Sequence, residues 1–145
     1  MIKKMACLSV LLITLSICTE AQVRHAKKKV YHKVSAMVRG KIVYNSICLA
    51  CHMADGGGVP TMNPPLINTE YVLGDKTRLI KIVLNGFKED VQINGQSFSN
   101  NMTPHADLKD WQIADVLTYV RKSFGNKASS ITALEVKKVR AANKK

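Results

Sequence analysis

Aromatic residues are scarce in this chain: one Trp, four Tyr and three Phe among 145 residues. A single short domain with so little aromatic area has thin means of building a core from its own side chains. Long apolar runs are missing too. The stretch from Ala6 to Ile17 falls short of the ~20 residues a membrane span needs. With 46% apolar and 22% charged residues, the chain is neither a multispanning membrane protein nor a disordered one. Acidic residues are few, ten against 22 Lys and Arg, for a formal net charge of +12. No internal repeat or low-complexity linker appears, so the length points to one domain with appendages.

The opening residues read as targeting. Lys3 and Lys4 give a positive start, Ala6–Ile17 an apolar stretch, and Thr19-Glu20-Ala21 small residues at the two positions a signal peptidase inspects. Residues 1–21 are therefore expected to be a signal peptide, cut before Gln22, on an exported chain. An uncleaved N-terminal anchor is a second fate. A third is lipidation at Cys18, since Leu15-Ser16-Ile17-Cys18 is lipobox-like, although Ile17 is bulky for its position.

Of the four cysteines, Cys7 and Cys18 leave with that segment. Cys48 and Cys51 remain, inside Cys48-Leu49-Ala50-Cys51-His52. C-x-x-C-H is the attachment sequence for c-type haem, and its chance occurrence in such a chain is on the order of one in a thousand. The spacing suits the chemistry. Two thiols three residues apart on a helical turn add to the two vinyl groups of one porphyrin edge, and the next residue offers its imidazole to the iron. Haem would also supply the apolar bulk the chain lacks. A zinc site would need further ligands. A thioredoxin-like pair would open a helix after a strand, whereas this pair closes a helical pattern. A plain disulfide accounts for neither His52 nor the spacing.

Around the motif, Val38, Ile42, Val43 and Ile47 fall on a helical period, with Gly40, Tyr44 and Cys48 four apart. Asp55-Gly56-Gly57-Gly58-Val59-Pro60 reads as a loop able to pass close to a porphyrin edge. Asn63-Pro64-Pro65-Leu66 reads as stiff and extended, and a proline carbonyl there would accept the Nδ1 hydrogen of His52. Asp75 is an N-cap for a helix carrying Leu79, Ile80, Val83 and Leu84 and stopped by Gly86. Val91–Phe98 alternates around Asn94-Gly95, a small hairpin. A long helix is predicted from about Leu108 to Phe124, with Gly125 as its stop and Trp111 and Tyr119 adding aromatic area. Thr132-Ala133-Leu134-Glu135 is a capping box for a short helix through Ala142, with Ile131, Leu134 and Val139 available to fold back. The fold expected is all-α around a cofactor.

Gly40-x3-Tyr44-x3-Cys48-x2-Cys51-His52, Pro64-Pro65-Leu66, Met102-Thr103-Pro104 and Ile113–Arg121 together resemble the class I, mitochondrial-type, single-haem cytochromes c of bacteria. The likeness runs from about Ala36 to Asn126. It implies the cytochrome c fold over 36–126; the charge pattern of this sequence adds a basic N-terminal segment at 22–35 and a basic C-terminal extension at 127–145. The likeness also implies that the first and last helices cross, packing Gly40 and Tyr44 against Val116 and Tyr119. One haem c would be attached through Cys48 and Cys51, with iron held by His52 and, on the far side, by Met102. Met53 adjoins His52 and cannot reach round the ring. Met62 has the reach but precedes the Pro-Pro-Leu segment. His105 is the rival ligand and would make a bis-histidine iron. Two departures from the family pattern are Thr103 between Met102 and Pro104, and Lys109 where a small capping residue is usual. His25 and His32 read as solvated.

The charges are unevenly placed. Val23–Lys41 holds seven Lys and Arg without an acid, and 127–145 holds six with only Glu135, whereas 42–126 is near neutral. Such arms suit an acidic redox partner, anionic lipid or simple solubility. An exported chain without a base-reading motif does not suit nucleic acid. The expected role is that of an electron carrier, not an enzyme, in a periplasmic respiratory chain. Its donors would be a quinol-oxidising complex or periplasmic dehydrogenase, and its acceptors a terminal oxidase or reductase. Two other readings are a dedicated haem subunit of a quinoprotein-type dehydrogenase or reductase, and an open-site haem enzyme or gas sensor. No distal acid–base pair supports the last.

Overall fold

The computed structural model describes residues 34–143. The signal-peptide reading of 1–21, nearly all of the basic segment at 22–35, and Cys7, Cys18, His25 and His32 lie outside the described residues, as do Lys144 and Lys145.

The first helix, α1 (Ala36–Val43), runs into a π-helical turn (Tyr44–Cys48) and then a short α2 (Leu49–His52). Next come α3 (Glu70–Leu73) and α4 (Lys76–Asn85), the hairpin β1 (Val91–Ile93) and β2 (Gln96–Phe98), α5 (Asp110–Lys122) and α6 (Ala133–Ala142). Helix α5 is central and packs against α1, α3, α4 and α6. Its inner face, with Ile113, Val116, Leu117 and Val120, joins Leu79, Ile80, Val83 and Leu84 of α4 in the core. Each such side chain stabilises the fold by ~1.5–3 kcal/mol on full burial. Among the described residues no helix is long and apolar enough to cross a membrane.

Local chemistry sets the helix ends. Asp75 accepts the Arg78 amide at 2.6 Å, and Gly86 takes φ +73° after α4. In the hairpin Val91 pairs with Phe98 and Ile93 with Gln96. Asn94 and Gly95 both have positive φ, as a tight two-residue turn of this hand requires. Lys109 precedes α5 without a side-chain cap, and Gln112 Oε1 instead accepts its amide at 3.0 Å.

Several expectations need correction. Val38 and Ile42 share the helical period of α1 but face outward, about half exposed, while Gly40, Val43 and Tyr44 form its buried face. Helix α5 ends at Lys122, two residues before Phe124, because Ser123 is extended and Phe124 takes φ +57°. Gly40 lies nearest the Asp115 backbone and Tyr119, and Tyr44 reaches Tyr119, with ring centroids 5.4 Å apart. Helix α6 starts at the Thr132–Glu135 capping box and docks through Ile131, Val136 and Val139, leaving Leu134 exposed.

Candidate functional site

The π-helical turn shapes the first wall of the site. The Leu49 amide donates to the Tyr44 carbonyl, five residues back, so an extra residue enters the turn just before Cys48. Such bulges re-aim side chains and recur at functional sites. Cys48 is half-buried, Cys51 exposed, and the two thiols are not joined to each other. Burial, with Cys51 beside it, pushes the Cys48 thiol up to about 11.

Immediately after His52 the chain reverses. Met53 takes φ +62°, Tyr44 Oη donates to its carbonyl at 2.6 Å, and the Gly58 amide donates to the His52 carbonyl at 3.2 Å. Gly58 has φ +70°, and a Cβ there would stand 2.3 Å from the Asn63 carbonyl oxygen. The glycine loop approaches protein backbone at Gly58, and Gly56 approaches the Phe124 ring.

His52 Nδ1 lies 3.1 Å from the Pro64 carbonyl oxygen. A carbonyl only accepts, so Nδ1 carries the hydrogen and Nε2 keeps its lone pair. Burial lowers the His52 pKa, opposed by the Pro64 hydrogen bond. Both features hold a neutral imidazole in the tautomer a metal ligand needs.

Met102 arrives from the other side of the chain. Its amide donates to the Phe87 carbonyl at 2.8 Å, and the Phe87 amide donates to the Met102 carbonyl at 3.0 Å. Gly86 permits this approach, since a Cβ there would lie 2.4 Å from the Met102 carbonyl oxygen. The preceding residues are tied as well: the Asn100 amide donates to the Met62 carbonyl at 3.1 Å and its side chain to Asn63 at 2.8 Å.

Cys48, Cys51, His52 and Met102 all line one cavity of about 290 Å³, closed mainly by apolar side chains that include Leu66, Leu79, Val83, Phe98 and Leu117. His105 lines it as well. Met62 is about half exposed and outside the lining, as is Met53. Two thiols and a pre-oriented imidazole at an apolar cleft fit a flat, apolar macrocycle attached at one edge. Among the described residues no three His, Cys, Asp or Glu side chains converge on one point, so a metal held by side chains alone would lack ligands.

Sequence reasoning gave no separate role to three buried polar residues. Asp115 is buried mid-helix and binds Arg39 through two hydrogen bonds of 2.6 and 2.9 Å. Asn126 donates to the Leu66 and Val120 carbonyls and accepts the Asn68 amide. Arg121 donates to the Val72, Gly74 and Ser129 carbonyls. For Asp115 and Arg121 the available signal was a charged residue on an apolar helix face, because such groups are buried only when partnered; Asn126 lies beyond the helix and carried no such signal.

The family profile described as "Cytochrome c" matches residues 37–124. Cytochrome c-552 of Thermus thermophilus is 33% identical over 103 residues, 65% of this chain and 79% of that protein. The cytochrome c subunit of the quinone alcohol dehydrogenase of Gluconacetobacter polyoxogenes is 35% identical over 116 residues, 73% of this chain but 23% of that subunit. The fructose dehydrogenase cytochrome subunit of Gluconobacter japonicus is 32% identical, over 72% of this chain and 22% of its own length. The chain therefore spans less than a quarter of the dehydrogenase subunits it matches. With a helical fold wrapped round an apolar cleft, a C-x-x-C-H turn on its wall and a match over most of the described residues, this chain belongs to the cytochrome c family, a class I c-type cytochrome whose cofactor is one covalently bound haem c.

Proposed function

We propose that the protein is a single-electron carrier of a periplasmic respiratory chain, with Cys48 and Cys51 as the thioether attachment points and His52 and Met102 as the axial ligands. The observation that carries the reading is the meeting of these four side chains on one apolar cavity, with the His52 ring already oriented by Pro64. When bound, haem supplies a ferric/ferrous couple. The chain does the rest. Cys48 and Cys51 would each hold the haem by adding the thiol across a vinyl group, sulfur to one vinyl carbon and the thiol hydrogen to the other. His52 presents Nε2, and the thioether of Met102, a soft donor, favours the ferrous state and raises the potential. Apolar walls keep water off the iron. A redox partner would dock briefly through a small contact beside the attachment cysteines.

The test is the visible spectrum of the exported protein, oxidised and reduced, with carbon monoxide added to the reduced form. A low-spin c-type spectrum unmoved by the gas is expected, and Met102→Ala should open the iron to it. A spectrum that shifts in the unaltered protein would move an open-site enzyme or sensor into first place. A Met102→Ala variant indistinguishable from its parent would assign the sixth ligand elsewhere, with His105 on the same cavity as the next residue to replace.

A second reading is favoured by the relatives named as dehydrogenase cytochrome subunits: a dedicated haem subunit of a dehydrogenase complex. A dehydrogenase that stays bound through purification from the native membrane fraction would establish it. A chain recovered alone would favour the mobile carrier.

A further inference from the structure

Residues 99–109 connect β2 to α5 with almost no regular structure, and Met102 sits in this segment. Upstream, the backbone pair with Phe87 holds it, and farther on the His105 amide donates to the Val83 carbonyl at 2.8 Å. Ser99 and Asn100 are tied to Thr61, Met62 and Asn63 where the segment begins, and further ties come from the last turn of α6, which lies beyond the residues 37–124 that the family profile matches. Arg140 donates through Nη1 to the Ala106 carbonyl at 2.8 Å, through Nη2 to the Leu108 carbonyl at 2.6 Å, and through Nε to Asp110 at 2.7 Å. Three residues on, Asn143 exchanges two side-chain hydrogen bonds, of 2.7 and 3.2 Å, with Asn85. Asn85 ends α4, directly before the Gly86-Phe87 pair against which Met102 rests.

One helical turn thus grips both legs of the Met102 loop, the Asn85–Phe87 leg and the Ala106–Asp110 leg. Seating α6 does not need these bonds. Val136 and Val139 are buried against the domain, and at the other end of the helix Lys76 binds Glu135 and the Ser130 carbonyl. Arg140 is about two-thirds buried, and its planar fork binds two carbonyls of the segment at once.

We infer that Arg140 and Asn143 are positioning residues, and that the last turn of α6 is a brace that keeps the Met102 loop shut and so closes the sixth position of the iron to outside ligands. The inference rests on the ligation by Met102 proposed above. A ligand that enters only when the loop opens binds with its intrinsic affinity multiplied by the open fraction. Weakening the brace should therefore raise apparent affinity by the factor by which it raises that fraction, about tenfold for the loss of a charge-assisted set.

The experiment measures the apparent affinity for carbon monoxide of the reduced, haem-loaded full chain, under gas pressures raised beyond those that leave the parent's spectrum unmoved, alongside thermal unfolding. Arg140→Ala is expected to bind the gas about tenfold more tightly than its parent, Asn143→Ala about threefold, and Arg140→Lys to fall between parent and Arg140→Ala. Glu135→Ala loosens the opposite end of α6 and should lower Tm without changing gas binding. Should Arg140→Ala fail to accumulate, Asn143→Ala decides, because its pair with Asn85 lies on the surface. Gas binding unchanged in both brace variants, or raised equally by Glu135→Ala, would overturn the brace. Met102→Ala run beside them separates the two levels. If it opens the iron while the brace variants do not, the brace alone is wrong. If it too leaves gas binding unchanged, the ligand assignment fails, and the brace with it.

Discussion

Replacing Gly40 by alanine sets two physical effects against each other. A Cβ at this position would stand 2.1 Å from the Asp115 carbonyl oxygen and 2.8 Å from the Tyr119 Cβ, where contacts below 3.0 Å essentially never occur. Since the obstacle is helix backbone, α1 and α5 must move apart by close to an ångström. Helical propensity alone would favour alanine by about 1 kcal/mol. Overpacking costs typically ~1–3 kcal/mol. The same separation also pulls on the Tyr44–Tyr119 ring pair, worth ~0.5–1.5 kcal/mol, and on the short Arg39–Asp115 pair. The steric side wins, for a net loss of about 1–3 kcal/mol. With about 4–8 °C per kcal/mol in a domain near this size, Tm should fall by roughly 5–20 °C. Thermal unfolding of the haem-loaded protein, followed by circular dichroism, reads it directly. A Gly40→Ala variant as stable as its parent, or more so, would mean that propensity governs and that the crossing is not close enough to require glycine.

Asp115→Ala should cost ~3–5 kcal/mol in urea unfolding, because it takes a twice-bonded carboxylate away from the part-buried Arg39 guanidinium, whereas the double replacement by apolar residues should recover much of that loss. Asn126→Ala removes one acceptor and two donors at a buried position. It should destabilise by about 2–4 kcal/mol and speed hydrogen exchange at the Asn68 amide, and exchange as slow as in the parent would refute the assignment. Glu135 is held down to about 2, first by the Thr132 amide and then by Lys76. A carboxylate lowered in the folded state adds stability that is fully present above its ordinary value of 4.5 and is lost as pH falls from there toward 2. Unfolding measured across that window should lose stability more steeply in the parent than in Glu135→Gln, by a modest amount because the group is largely exposed.

Short-range chemistry was the legible part of this molecule. Asp75, the Asn94-Gly95 turn and the Thr132–Glu135 box each act within four residues, and the elements they delimit stand where they predict. The Cys48–His52 turn was legible for the same reason. What periodicity could not supply was the side each face turns to. Val38 and Ile42 have the spacing of a core stripe, yet the face of α1 that packs is chosen by Gly40, where the neighbouring helix comes closest. Long-range polar ties were equally silent. Arg39 and Asp115 are 76 residues apart and Arg140 and Asp110 are 30 apart, and no local pattern distinguishes a partnered arginine from a solvated one. Read as charge, Arg140 belonged to a basic tail; in the fold it is a structural residue.

The acceptor that orients His52 is a main-chain carbonyl, and this determines where heredity can act on the site. Replacing Pro64 exchanges a ring and leaves its carbonyl in place, so a side-chain scan passes over the partner of the imidazole. The residue that disciplines that carbonyl is its successor, because the Pro65 ring restricts the preceding backbone to extended conformations. The gene therefore specifies the tautomer of His52 through codon 65, one position away from the atom that makes the bond.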